Sequence, residues 1–129
     1  MNKFELAWAA GFFDGEGSTC VYSGNSTPHP NLRVTIGQTD TEVLTRFKNA
    51  VGFGNITGPF KGKNDKTNRK PVYQYSVGSI RAISVMNLLI PFLASIKKEQ
   101  FYIALGKTLR YNFLPKQGFS LARCKQRKV

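Results

Sequence analysis

The spacing of apolar and polar positions changes several times along this chain, and each change marks an element. Leu6 to Phe13 is apolar at helical spacing. Asn2 stands where a cap is needed and Glu5 falls in the first turn, which predicts a helix from Asn2 to about Phe13, stopped by Gly15. Ser18–Ser23 reads as a strand and Gly24–Pro30 as a loop of turn residues. In Asn31–Gln38, Leu32, Val34 and Ile36 alternate with Arg33, Thr35 and Gly37, the period of a half-buried strand. Thr39 or Asp40 can cap a helix to about Val51, with Val43, Leu44, Phe47 and Ala50 on one stripe and Gly52 and Gly54 ending it. Asn55–Lys61 reads as a third strand despite Gly58 and Pro59, and 62–70 as a polar, basic hairpin loop. In Val72–Val77, Tyr73, Tyr75 and Val77 alternate with Val72, Gln74 and Ser76. Ser79 can cap a helix through Leu89, with Ile80, Ile83, Met86 and Leu89 or Ile90 on one stripe, stopped near Pro91, and a last helix runs from about Ser95 to Tyr111.

The resulting order is α-β-β-α-β-β-α-α, an α+β class. Each strand pair forms a hairpin, so the sheet is largely antiparallel, and each pair is followed by a helix, so the helices cover one face. The other face carries Arg33, Thr35, Asn55, Thr57, Gln74 and Ser76. That chemistry suits a surface laid on nucleic acid and suits an ordinary solvated sheet equally well.

Charge tilts this balance. The chain has 129 residues, with 19 Lys+Arg against 7 Asp+Glu, a formal net charge of +12. A polyanionic partner is the first expectation, and nucleic acid the commonest. The 41% hydrophobic fraction supports one cored domain, taken as residues 1–114, with a basic tail over 115–129. That tail holds Lys116, Arg123, Lys125, Arg127 and Lys128 and no acid, and reads either as a phosphate-binding arm or as a solvated end. No apolar run has the length of a membrane span, so no membrane partner is expected. Cys20 and Cys124 lack CxxC spacing, which fits neither a disulfide scaffold nor a zinc finger and leads to the expectation of a reducing compartment. The lone His29, between Pro28 and Pro30, is a loop histidine rather than a metal or catalytic centre.

The chemistry concentrates in Ala9-Ala10-Gly11-Phe12-Phe13-Asp14-Gly15-Glu16-Gly17. Asp14 and Glu16 sit at the C-terminal end of a helix, where the macrodipole already concentrates negative charge. Read alone, such a pair is more often two solvated turn acids; the alternative partner is a divalent cation, because Mg²⁺ takes oxygen ligands and keeps several waters. Ala7, Ala10 and Gly11 form a small-residue strip at helical spacing, which lets a second helix approach closely. If that partner is a second copy, the two acid turns meet at the two-fold axis, as metal-assisted phosphodiester hydrolysis requires.

This nonapeptide resembles the motif of the LAGLIDADG homing endonucleases, and the predicted element order resembles that family's core over about residues 3–111. One copy of the motif is present, which in that family implies a homodimer. The resemblance implies an antiparallel sheet with helices on one face and a nucleic-acid-binding saddle on the other. It implies site-specific, divalent-metal-dependent hydrolysis of double-stranded DNA at a long pseudo-palindromic target, with Mg²⁺ or Mn²⁺ as cofactor. Glu16 would be the metal ligand, with the Gly15 carbonyl beside it, and Asp14 would support the turn. Gln38 would order solvent, and Lys97, or its neighbour Lys98, would face the scissile phosphate. Glu at the metal position is a longer arm than Asp. Glu42 stands where some members carry a basic residue, and neither Arg46 nor Arg81 is a clear replacement.

On this reading Arg33, Thr35, Asn55, Thr57, Gln74 and Ser76 meet the DNA from the sheet, and Lys61, Lys63, Lys66, Arg69 and Lys70 meet it from the hairpin. Ala7, Ala10 and Gly11 form the dimer contact. Two other functions fit the same resemblance: an RNA maturase assisting intron splicing, and a DNA-binding protein of this fold without cleavage. The resemblance also suggests a mitochondrion, a chloroplast or a microbial cytoplasm.

Overall fold

The computed structural model describes residues 2–22, 30–60 and 70–113, with side chains to residue 109 in the last helix. The elements are α1 (Lys3–Glu16), β1 (Gly17–Tyr22), β2 (Asn31–Gln38), α2 (Thr41–Val51), β3 (Asn55–Phe60), β4 (Val72–Gly78), α3 (Ser79–Leu89), a 3₁₀ turn (Ile90–Phe92) and α4 (Ser95–Phe113). The predicted order holds throughout.

Local chemistry explains most boundaries. Asn2 Oδ1 accepts from the backbone N–H of Phe4 at 2.9 Å and of Glu5 at 3.3 Å, satisfying two orphan donors of α1. Asp40 does the same for α2 through Glu42 N–H at 2.9 Å. Gly52 ends α2 with φ +83, a left-handed cap that glycine adopts without steric cost. Two boundaries differ from expectation. α1 does not stop at Gly15 but runs through Glu16, with Gly17 as its cap. Ser79 does not cap α3: the cap position falls on Gly78, and no side chain bonds to the helix start.

Both hairpins are antiparallel, and β2 pairs antiparallel with β4 between them, giving the strand order β1-β2-β4-β3. Pro59 has no N–H to give a ladder, so it is tolerated on β3, an edge strand. The β3–β4 register slips between Thr57 and Phe60, around Gly58 at φ +132 and a cis Gly58–Pro59 bond.

One face of the sheet carries Leu32, Val34, Ile36, Tyr75 and Val77, all buried, and all four helices contribute to the core over it. Phe47 of α2 sits between Phe13, stacked at 6.3 Å, and Tyr75, edge-on at 4.9 Å. α3 is turned partly away from the expected stripe: Met86 and Leu89 stay inward and Ile83 is partly buried, but Ile80 is not. Ala82, Val85, Met86 and Leu89 are buried, whereas Ile80 is 79% exposed. Both stripes have helical spacing, and packing on β2 selects the one with small Ala82 in it.

Tyr75 shows how tightly this core is specified. Its hydroxyl donates to the Phe53 carbonyl at 2.7 Å, and its ring lies where a Cβ on Gly54 would fall, 2.2 Å away. Gly54 also has φ +113, so glycine is required there on two counts. Burial raises the Tyr75 phenol pKa well above the usual tyrosine value. A raised folded-state pKa contributes stability that is intact below the unfolded value, about pH 10, and is lost as pH rises beyond it. Tyr75→Phe is therefore expected to cost about 1 kcal/mol at neutral pH and to flatten the alkaline fall in Tm. Melting curves between pH 8 and 12 check this, and an unchanged alkaline limb in the variant would refute it.

Candidate metal and nucleic-acid site

The acid turn is built where α1 hands over to β1. Asp14, Gly15 and Glu16 occupy the last turn of α1, which holds no basic residue. Gly17 must be glycine, because a Cβ there would fall 2.1 Å from the Phe13 ring. Its role is thus internal packing, whereas at Gly15 nothing lies within 4 Å of an added Cβ and the backbone is open to an incoming group.

Two bonds tie α4 to this turn across 80 residues of sequence. The Asp14 carboxylate accepts from the Ala94 N–H at 3.1 and 3.3 Å, just before the first residue of α4. A carboxylate at a helix N-terminus is favourably placed against the macrodipole, so α4 offsets the opposition that Asp14 meets at the end of α1. Two residues into α4, Lys97 Nζ donates to the Gly17 carbonyl at 2.6 Å. Lys97 rather than Lys98 therefore adjoins the turn. Lys98 lines a shallow groove with Glu99, Tyr102 and Ile103.

Glu16 is exposed, and among the described residues its carboxylate has no hydrogen bond or ion pair. No group of three or more His, Cys, Asp or Glu gathers among the described residues. One free carboxylate with exposed backbone at a helix C-terminus still fits Mg²⁺, which is usually held by one or two carboxylates, waters and substrate phosphates. Gln38 ends β2 at this same end of the sheet, two residues beyond Ile36, the partner of Gly17. Its Oε1 folds back onto the Thr39 N–H at 2.9 Å. Arg46 is elsewhere. It forms a two-pronged pair with Glu5 at 2.9 and 3.0 Å and stacks on Trp8 at 3.9 Å. Glu5 lies eleven residues before Glu16 on α1, roughly 16 Å away at 1.5 Å per residue. Arg81 is exposed in the first turn of α3.

The strand register gathers the outward residues. Thr35 stands opposite Ser76, Gly37 opposite Gln74, Asn55 opposite Ser76 and Thr57 opposite Gln74. With Arg33 two residues from Thr35, all six expected sheet residues share the face turned away from the helices. β1 adds Ser18, Cys20 and Tyr22 to that face, through the pairs Ser18–Thr35, Cys20–Arg33 and Tyr22–Asn31. Sequence reasoning missed these, and the signal available was only that β1 pairs with β2. The Ser18 and Thr35 hydroxyls bond across the strands at 3.0 Å. Lys70 is exposed just before β4, while Lys61, Lys63, Lys66, Arg69 and the basic tail lie outside the described residues.

One expected residue is displaced. Ala10 is fully buried in the chain's own core, so it cannot belong to an exposed contact strip. A helix places positions three and four apart on one face, and the exposed residues there are Phe4, Ala7, Gly11 and Gly15. Phe4 is 87% exposed.

No protein-family model matches the chain, and no curated protein sequence does. Solved structures do. The homing endonuclease I-CvuI, in complex with its target in the presence of calcium, superposes with a TM-score of 0.62 at 19% identity, covering 86% of this chain and 69% of that one. The LAGLIDADG meganuclease I-AabMI, bound to uncleaved DNA, gives 0.61 at 23% identity over 88% of this chain and 38% of that one. The archaeal intron-encoded homing endonuclease I-Vdi141I, complexed with DNA, gives 0.56 at 23% identity over 81% and 69%. The four-stranded antiparallel sheet with its helices matches these neighbours: the chain has the LAGLIDADG homing endonuclease fold.

Proposed function

We propose that this chain is a homodimeric, site-specific DNA endonuclease that uses a divalent cation. The observation that carries the reading is the Lys97 ammonium held on the carbonyl of Gly17, the residue that follows Glu16, whose exposed carboxylate has no partner among the described residues. A metal carboxylate and a nearby cation are complementary tools for phosphodiester hydrolysis, and the sheet beside them offers a surface for the duplex.

Glu16, with the Gly15 carbonyl, would hold Mg²⁺ or Mn²⁺. When bound, such a cation supplies Lewis-acid polarisation of the phosphate and an acidified water. The Lys97 ammonium would oppose negative charge developing on the phosphate oxygens, and its bond to Gly17 orients it before substrate arrives. Gln38 would order solvent at the end of β2. Asp14 fixes the start of α4, and hence the reach of Lys97, through the Ala94 N–H.

Each subunit contributes one free carboxylate, so double-strand cutting calls for a second copy. The exposed strip Phe4, Ala7, Gly11 and Gly15 runs along α1 to the acid turn. Packing two such strips together would bring both Glu16 residues toward the dimer axis, with a pseudo-palindromic target matching the two-fold symmetry.

The test is cleavage of a duplex that joins the two sequences flanking the gene, with Mg²⁺ and then with chelator. Metal-dependent double-strand cutting at one position supports the reading. Binding without cleavage would favour a DNA-binding protein of this fold, and preferential binding of the intron transcript would favour a maturase.

A further inference from the structure

Among the described residues, two arginines stack on aromatic rings, and they differ in what their donors do. Arg46 lies over Trp8 at 3.9 Å, and its guanidinium edge is occupied by Glu5. Arg33 lies over the Tyr22 ring at 4.3 Å, and among the described residues its N–H groups have no hydrogen bond or ion pair. Arg33 is also on the sheet face turned away from the core.

The strand register explains the pair. Cys20 stands opposite Arg33, and Tyr22 is two residues further along β1, on the same face. Tyr22 and Arg33 are therefore diagonal cross-strand neighbours, a separation that an aromatic ring and a long side chain can bridge. A guanidinium is planar and carries all five N–H donors in that plane. Stacking covers one flat side and leaves the donor edge free. It also restrains in advance a long side chain that would otherwise lose rotamer freedom on being held.

We propose that Tyr22 is a positioning residue for DNA reading: its ring holds the Arg33 guanidinium with the donor edge presented outward to a planar, two-acceptor partner, the O6/N7 edge of guanine. This rests on the DNA reading proposed above and names one of its specificity contacts. The partner follows from the chemistry. A fork of parallel N–H donors matches the two acceptors that guanine alone shows side by side in the major groove. A backbone phosphate could also accept from the fork, but it would carry no base preference.

The experiment has two arms, one free of DNA. In the free full-length protein, the Arg33 Nε–H proton resonance is expected upfield of an unstacked arginine because of the Tyr22 ring current. It should keep that shift in Tyr22→Phe and lose it in Tyr22→Leu. In the second arm, a pool of duplexes with randomised sequence is selected on each protein, with Ca²⁺ replacing Mg²⁺. The native chain should enrich guanine at one position in each half-site. Arg33→Ala should reduce that preference by about tenfold or more. Tyr22→Leu should reduce it by about threefold to tenfold, and Tyr22→Phe should retain it. Melting curves establish that all variants fold. Selective loss in Tyr22→Leu with rescue by Tyr22→Phe supports the proposal. Intact binding with unchanged preference in Tyr22→Leu, or an Arg33→Ala variant altered only in its salt dependence, overturns this proposal and leaves the DNA reading standing. A stacked Arg33 in a protein that enriches no duplex overturns the DNA reading and this proposal with it.

Discussion

Glu16→Gln is expected to yield a folded protein that still binds DNA and no longer cuts it, with cleavage reduced by about a thousandfold or more. A thousandfold loss corresponds to roughly 4 kcal/mol of transition-state stabilisation, within the several kcal/mol that a bound metal supplies. The amide keeps the size of the carboxylate but removes the charge that holds a hard cation. Stability should move the other way. Glu16 is exposed in the last turn of α1, where no basic residue offsets it. Removing its charge relieves an unfavourable macrodipole interaction of about 0.3–1 kcal/mol. The variant should therefore melt no earlier than the native chain. Cleavage kinetics in Mg²⁺, DNA affinity and a melting curve measured on one preparation decide the matter. Native cutting rates in the Gln variant would remove Glu16 from the chemistry.

Gly11→Leu is expected to convert the proposed dimer into a stable monomer that does not cut both strands. Gly11 is exposed on α1, and nothing lies within 4 Å of a Cβ added there, so the single chain accommodates leucine. Leucine is the better helix former by about 0.5–1 kcal/mol. A second helix approaching along Phe4, Ala7, Gly11 and Gly15 would instead meet a large side chain at the centre of the contact. Helix axes normally pack 8–10 Å apart, and the small side chains on this strip suit the near end of that range. Sedimentation should show a monomer with an unchanged or raised melting temperature, and the nuclease assay should show no double-strand product. A Gly11→Leu protein that remains dimeric and cuts both strands would place the subunit contact elsewhere. The pairing of unimpaired folding with lost activity separates an interface defect from a folding defect.

The two variants probe residues that were legible in the sequence to different degrees. Asp14 and Glu16 stand out together because carboxylates at a helix C-terminus conflict with the macrodipole, and only the resemblance of the nonapeptide singles out Glu16. Gly11 belonged to a small-residue strip, but the strip was drawn through Ala10, which the core buries completely. Helical spacing identifies a face without saying which way it turns. The same ambiguity affects α3, where packing on β2 buries Ala82 and Val85 beside the expected Met86 and Leu89 and leaves Ile80 exposed. The demand for glycine at Gly17 comes from the Phe13 ring, whose place is set by the core.

What the sequence determined by itself is the succession of elements and the chemical character of the site. Caps at Asn2 and Asp40, the left-handed stop at Gly52 and the alternation over Asn31–Gln38 act through bonds and side-chain periods within a few residues. Such signals survive reading one segment at a time. The tertiary structure alone decided how the segments meet. It paired β2 with β4 at the centre of the sheet, gave Asp14 the Ala94 N–H, and brought Lys97 rather than Lys98 to the Gly17 carbonyl. It also laid Arg33 on Tyr22. These contacts join residues up to 80 positions apart, and each depends on the packing of the whole core, which settles register, helix rotation and reach together.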